Sequence, residues 1–225
     1  MYVEKDWVME TVARLKLESG FSSKFNTYVV KEIAKRIKRE SKQIQMVISD
    51  KIKEIVRTRL VNTQEYGSIV SGKLRGELGI PEADSRIIQV VETWINGIEV
   101  KVTTGLSPFL TIDIGVIKDD YSDVLGLAAS SYTYSGRRGE GNIPWLEWLL
   151  LEGDRRIINK YEFSSSIKRG SRTGMGVMIE KAKGFWQVPP EFSGTSVDNF
   201  ATRALGGIEM DIDKIVKNAL ESRLK

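Results

Sequence analysis

The stretch TYVVKEIAKRIKRESKQIQMVISDKIKEIVRTRL, residues 27–60, decides most of the fold. Its apolar positions are Val30, Ile33, Ile37, Ile44, Val47, Ile48, Ile52, Ile55 and Val56, and the steps between them are mostly three, four or seven. That is the spacing of one face of an α-helix. At 1.5 Å per residue such a helix reaches roughly 50 Å, well beyond a usual globular helix. A helix of that length bends, breaks near Ser41 or Ser49, or packs along a neighbouring subunit. It is also basic: between Lys24 and Arg59 there are eleven Lys and Arg against four acids, in a chain whose net charge is only +4. A basic helix serves nucleic acid, an acidic partner or plain solvation.

Working outward, residues 3–18 read as a second amphipathic helix, with Trp7, Val8, Val12 and Leu15 on one side and Ser19-Gly20 as its stop. After the long helix, EYGSIVSGKLRGELGIPEAD (65–84) is punctuated by Gly67, Gly72, Gly76, Gly79 and Pro81, which reads as a loop or a run of short turns. Pro81 suits the opening of the next helix, whose stripe is Ile87, Ile88, Val91, Trp94 and Ile95 and whose end is Asn96-Gly97. IEVKVT (98–103) and FLTIDIGVIK (109–118) alternate apolar and polar like strands, with Gly105 and Pro108 turning between them. YSDVLGL reads as one helical turn, AASSYTYS as a strand, GRRGEGN as a polar loop and PWLEWLLLEG as a short helix. RIINKYEFS, MGVMIEK and GFWQV are three further candidate strands. Pro189-Pro190 break the chain, and a final helix runs from a Ser196 N-cap toward Lys225, bent at Gly206-Gly207.

Strands in sequence joined by short loops favour antiparallel pairing. The expectation is α+β: one domain over residues 1–225, with long N-terminal helices and a C-terminal helix packed on a small antiparallel sheet. Residues 1–65 form its helical part. Residues 66–225 hold the sheet and the last helix. With 41% hydrophobic residues, 225 residues suffice for a real core.

The chain has no Cys and no His. That removes thiol nucleophiles, Ser-His triads, Cys/His zinc sites and disulfides; a metal would need carboxylates. The charged N-terminus does not read as a signal peptide, and no apolar run approaches the ~20 residues of a membrane span.

KRGSRTGMGV (168–177) has the texture of a phosphate loop, but Gly170 and Gly174 are separated by three residues rather than four and no Gly-Lys pair follows. The strand pattern after it makes it a hairpin loop. Lys168, Arg169 and Arg172, with Arg137 and Arg138 in the other glycine-rich loop, are candidate contacts to DNA phosphates or to a partner. Asp84, Glu99 and Lys101 form a different candidate set. An Asp followed by Glu-x-Lys on a strand is the pattern of Mg²⁺-dependent nucleases, the carboxylates holding the metal and the Lys positioning water. Any half-exposed strand also produces Glu-x-Lys. Asp113, Asp119, Asp120 and Asp123 do not match the spacing of a calcium loop. Trp145, Trp148 and Trp186 are candidate anchors in the core or in a subunit interface.

GSIVSGKLRGELGIP (67–81), IPWLEWLLLEGD (143–154), SRTGMGVMI (171–179) and FWQVPPEFSGTSVDNFATRAL (185–205), in that order before a terminal helix, resemble neck and tail-completion proteins of tailed bacteriophages. The resemblance runs from about Gly67 to the end. It implies a structural virion protein at the head–tail junction, made in the host cytoplasm and not enzymatic, with no catalytic, cofactor or metal residues. It implies a homo-oligomeric ring, hexamer or dodecamer, that meets portal or adaptor, other neck and tail proteins and lines the DNA passage without reading sequence. A head-to-tail ring needs two different patches that meet under rotation. Two other functions compete on the residues alone: the Mg²⁺ nuclease, and a non-specific DNA-binding module built on the basic helix.

Overall fold

The computed structural model describes residues 8–14, 23–104, 109–118, 120–136 and 139–224. The architecture is α+β, with small antiparallel sheets, a long N-terminal helix and a C-terminal helix. The chain forms two compact units. One takes residues 1–55, 95–118 and 207–225; the other takes 56–94 and 119–206.

The first unit holds a three-stranded antiparallel sheet. Its strands are β1 (Val8–Arg14), β2 (Glu99–Thr104) and β3 (Phe109–Gly115), in the order β1-β3-β2. Val100 pairs with Ile114, and Lys101 with Asp113. The two-residue period therefore buries Val100, Ile112 and Ile114 on one face and leaves Glu99 and Lys101 exposed on the other. Helix α1 (Ser23–Val61) is a single unbroken element of 39 residues, roughly 58 Å long. Ile37, Ile44, Ile48 and Ile52 form its buried face in this unit. Ser41 does not break the helix; its hydroxyl donates back to the Lys38 carbonyl at 2.9 Å. The C-terminal helix of the unit, over residues 209–224, buries Ile212, Val216 and Ala219, with Ile208 just ahead of it.

The expected helix over residues 3–18 is corrected: residues 8–14 are strand β1, paired along its whole length with β3. Val8, Thr11 and Val12 are β-branched, and the ladder offered by β3 outweighs a short helical pattern. Trp7 and Leu15 lie outside the described residues.

The second unit begins with the end of α1. The Thr63 hydroxyl donates to the Leu60 carbonyl (2.8 Å) and accepts from the Tyr66 amide (3.2 Å), so one residue closes α1 and caps α2 (Gln64–Ser71). Helix α3 (Lys73–Leu78) follows at once. The stretch expected as loop or turns is thus two short helices. Gly72 separates them where a Cβ would sit 2.7 Å from the Ser68 Cα, and the freed Ser68 hydroxyl accepts from the Leu74 amide at 2.9 Å. Helix α4 (Ala83–Gly97) follows Pro81 and ends at the predicted Asn96-Gly97. Helix α5 (Ser122–Leu125) is the expected single turn.

β4 (Tyr132–Gly136) pairs with β5 (Gly139–Ile143), so GEGN, expected as loop, is a strand; it is the return arm of a hairpin. Helix α6 (Trp145–Leu150) starts after Pro144 as expected. β6 (Ile158–Ser164) pairs antiparallel with β7 (Val177–Trp186). MGVMIEK and GFWQV are therefore one ten-residue strand rather than two. An irregularity opposite Asn159 and Tyr161, where Lys160 has φ +64°, takes up the mismatch in length.

The last helical stretch is also corrected. Asn199 rather than Ser196 is the N-cap, and Gly206-Gly207 end one helix instead of bending it, Gly207 having φ +70°. The result is α7 (Phe200–Leu205) in the second unit and α8 (Glu209–Leu224) in the first.

Candidate docking surfaces

Asn199 explains why SVDNFATRAL reads as it does. Its side chain is fully buried. The Asn199 side-chain Oδ1 accepts from the Ala201 and Thr202 amides, at 3.0 and 3.2 Å, and the Thr202 hydroxyl accepts from the Asn199 backbone amide at 2.9 Å. The Asn199 Nδ2 donates to the Tyr121 hydroxyl (2.8 Å) and to the Thr195 and Leu150 carbonyls (2.9 and 3.3 Å). Tyr121 and Phe200 flank Trp94 with ring centroids 6.5 and 5.5 Å away, an aromatic cluster at the centre of this unit. Nearby, the Gly153 amide donates to the Gly194 carbonyl at 2.9 Å. A Cβ on Gly194 would lie 2.3 Å from the Leu149 carbonyl oxygen, so only glycine fits.

The three tryptophans belong to the same unit. Trp145 is fully buried and donates to the Ala129 carbonyl at 2.8 Å. Trp186 is buried, donates to Glu77 at 2.8 Å and tilts against half-buried Trp148 at 6.0 Å. Trp145 and Trp186 are core residues of the chain itself. Burial raises the Glu77 carboxyl above the usual carboxylate range, against the Trp186 hydrogen bond and the Lys73 charge, which lower it. Lys73 pairs with Glu191 at 2.8 Å and holds that exposed carboxylate below its ordinary value.

The β6–β7 connection is the most specific surface feature. Its second half is fastened. The Ser171 hydroxyl accepts from the Gly176 amide (3.3 Å) and the Thr173 hydroxyl from the Met175 amide (3.4 Å). These hydroxyls, which suggested a phosphate loop, are spent within the hairpin. Gly176 has no room for a side chain: a Cβ would be 2.4 Å from the Phe163 ring. Arg172 turns back onto the body of the unit. It donates to the Tyr132 hydroxyl (2.9 Å) and the Gly79 carbonyl (3.3 Å), and it lies over the Tyr132 and Tyr134 rings at 5.2 and 5.7 Å. Tyr132 in turn donates to the Leu78 carbonyl at 2.5 Å, and burial raises its phenol above the ordinary value despite the nearby guanidinium. The first half of the loop is different. Ile167, Lys168 and Arg169 are exposed, and neither cationic side chain has a polar partner among the described residues.

Arg172 is therefore a latch rather than a free contact, while Lys168 and Arg169 form a projecting tip. The latch joins this loop to the β4–β5 hairpin, whose paired ends Gly136 and Gly139 flank Arg137 and Arg138; those two arginines lie outside the described residues. Sequence reasoning passed over Tyr132, Tyr134 and Gly79. The spacing Tyr-Thr-Tyr on a strand, which puts both rings on one face, was the available signal.

Of the other candidate set, Glu99 and Lys101 are exposed on β2 and pair with each other at 3.2 Å. Asp84 is exposed in the first turn of α4, in the other unit. Among the described residues no three acidic side chains are grouped to hold a metal ion. Asp113 lies opposite Lys101, and Asp120 accepts from the Ser122 amide at 3.0 Å to shape the turn into α5. Asp119 is outside the described residues. Among those residues no helix is long and apolar enough to cross a membrane. Comparisons with protein-family models, with curated proteins and with solved structures find no match to this chain.

Proposed function

We propose that this protein is a structural subunit of a tailed bacteriophage neck, a head-completion or tail-completion ring component that joins the portal to the tail around the DNA passage. One observation carries the reading. The four stretches that resemble the neck and tail-completion family all fall within the second unit and supply several of its joints. Ser68 and Gly72 join α2 to α3, Gly153 meets Gly194, Asn199 ties three segments, and Arg172 latches the β6–β7 loop. A body assembled in this way presents a loop with a fixed base and a free tip, which suits docking to an adjacent ring. Fixing the base lowers the ordering cost of docking. A 39-residue helix offers length for packing between protomers.

The test is the native mass of the purified protein, alone and mixed with portal or tail fractions, followed by negative-stain images. A closed ring, formed alone or on one of those fractions, is the expected result. A protein that stays monomeric with both fractions overturns the reading. Replacing Lys168 and Arg169 by Ala is expected to weaken docking at least tenfold. Stability should change by no more than about 0.5 kcal/mol, since exposed side chains without partners contribute little.

A further inference from the structure

Lys31, Lys35, Lys38 and Lys42 stand at i, i+4, i+7 and i+11 on α1. At 3.6 residues per turn these positions fall within about 60° of one another around the axis and span about 16 Å along it. All four are exposed. The buried positions Ile37, Ile44 and Ile48 lie on the far side of the helix. The acids within the stretch, Glu32 and Glu40, stand off the row. Glu32 reaches round to Lys35 at 2.6 Å and Glu40 pairs with Arg39 at 3.5 Å. Among the described residues Lys31, Lys38 and Lys42 have no ionic partner. The Glu32–Lys35 pair is open to solvent, with side chains 47% and 74% exposed, and such a pair yields easily to a competing anion.

A merely solvated helix places opposite charges at i and i+4, which supports it. Like charges at that spacing cost about 0.2–0.5 kcal/mol per pair. Here Lys31 faces Lys35 and Lys38 faces Lys42. The row thus carries a small cost that an anionic surface would relieve. Its shape favours one such surface. Four point charges in a nearly straight line, stepped by about 4.5–6 Å, suit a regular row of phosphates. Insertion into a bilayer needs a bulky apolar face beside the cations, whereas only Tyr28 and Met46 are exposed large hydrophobics among the described residues of α1. Lysine contacts to phosphates give affinity without sequence preference.

We propose that the row Lys31, Lys35, Lys38 and Lys42 is a sequence-independent site for the phosphate backbone of duplex nucleic acid. The inference stands apart from the neck reading and would survive its failure.

The test is fluorescence anisotropy of the full-length protein with a labelled random-sequence duplex of about 30 base pairs, from about 50 to about 200 mM salt, a range over which phosphate contacts weaken measurably. Four phosphate contacts predict a slope of log K against log salt near −3.6, so binding falls roughly 100-fold across the range. The variant K31Q/K35Q/K38Q/K42Q is expected to keep its circular dichroism spectrum and lose most of this binding, whereas the corresponding four-arginine variant keeps it. Wild-type affinity in the folded four-glutamine variant overturns the proposal. So does a protein that binds anionic vesicles or polyglutamate but not duplex under the same conditions.

Discussion

The two units reach a core by different routes. Among the described residues the buried side chains of the first are aliphatic: Ile44, Ile48 and Ile52 on α1, Ile112 and Ile114 on β3, Ile212 and Val216 on α8. The second adds to aliphatic residues such as Leu60, Ile69, Leu74 and Ile87 the rings of Trp94, Trp145, Phe200 and Trp186 and the buried polar groups Asn199 and Glu65, the latter accepting from Arg203 at 2.7 Å. An aliphatic core is specified by periodicity and volume and tolerates substitution that preserves both. A core organised around buried polar groups and glycine approaches is specified atom by atom. The second unit should therefore be the less forgiving of the two.

The largest effect is expected at Gly194. A Cβ there meets the Leu149 carbonyl and Asn199 at once, both parts of the packed interior. Gly194→Ala should cost about 4 kcal/mol or more and remove cooperative unfolding of the second unit, read by thermal denaturation with tryptophan emission. Asn199→Ala removes a cap and leaves the Tyr121 hydroxyl and the Leu150 carbonyl without this partner; about 3 kcal/mol is expected by urea titration. Ile48→Val, at an equally buried site of the first unit, should cost about 1 kcal/mol. If it costs as much as Asn199→Ala, the contrast between the units collapses. Arg172→Ala should cost about 1 kcal/mol overall but should greatly speed amide exchange across residues 165–176, because the latch is lost while the hairpin remains.

The smallest effect concerns pH. Burial raises the folded-state pKa of Glu77, so its contribution to stability is present below the ordinary carboxylate range and is lost as pH rises through the raised value. Glu191 acts in the opposite sense, since Lys73 lowers its pKa. In Glu77→Gln the downward step above about pH 4.3 should vanish, leaving the rise associated with Glu191. Melting temperatures measured against pH in wild type and variant would show this, and parallel curves would mean that Glu77 does not sense its burial.

Where the core is periodic, the sequence was legible. The isoleucine spacing marked α1, and alternation marked β2 to within one residue and β3 with three residues too many at its end. Where a partner segment decides, it was not. Residues 8–14 join a ladder that only β3 provides, and GEGN becomes a strand because Tyr132–Gly136 lies beside it. The glycines misled in a specific way. Those in 65–84 read as breaks, yet Gly67 and Gly76 lie inside helices and Gly72 is needed for close approach. The cationic loop was legible as a loop. The division of labour within it was not, because nothing local to Arg172 announces Tyr132, forty residues earlier.

The Gly153–Gly194 hydrogen bond has a consequence beyond packing. Together with the Ile157 amide donating to the Trp186 carbonyl at 3.0 Å, it brings the two ends of the β6–β7 hairpin together independently of whatever lies at the tip. A segment closed at its base behaves as a cassette. Its far end can be lengthened, shortened or exchanged for only the slowly growing entropy of a longer loop. The scaffold is thereby separated from the part that chooses a partner, so related chains could change what they dock to without redesigning the body that holds the loop.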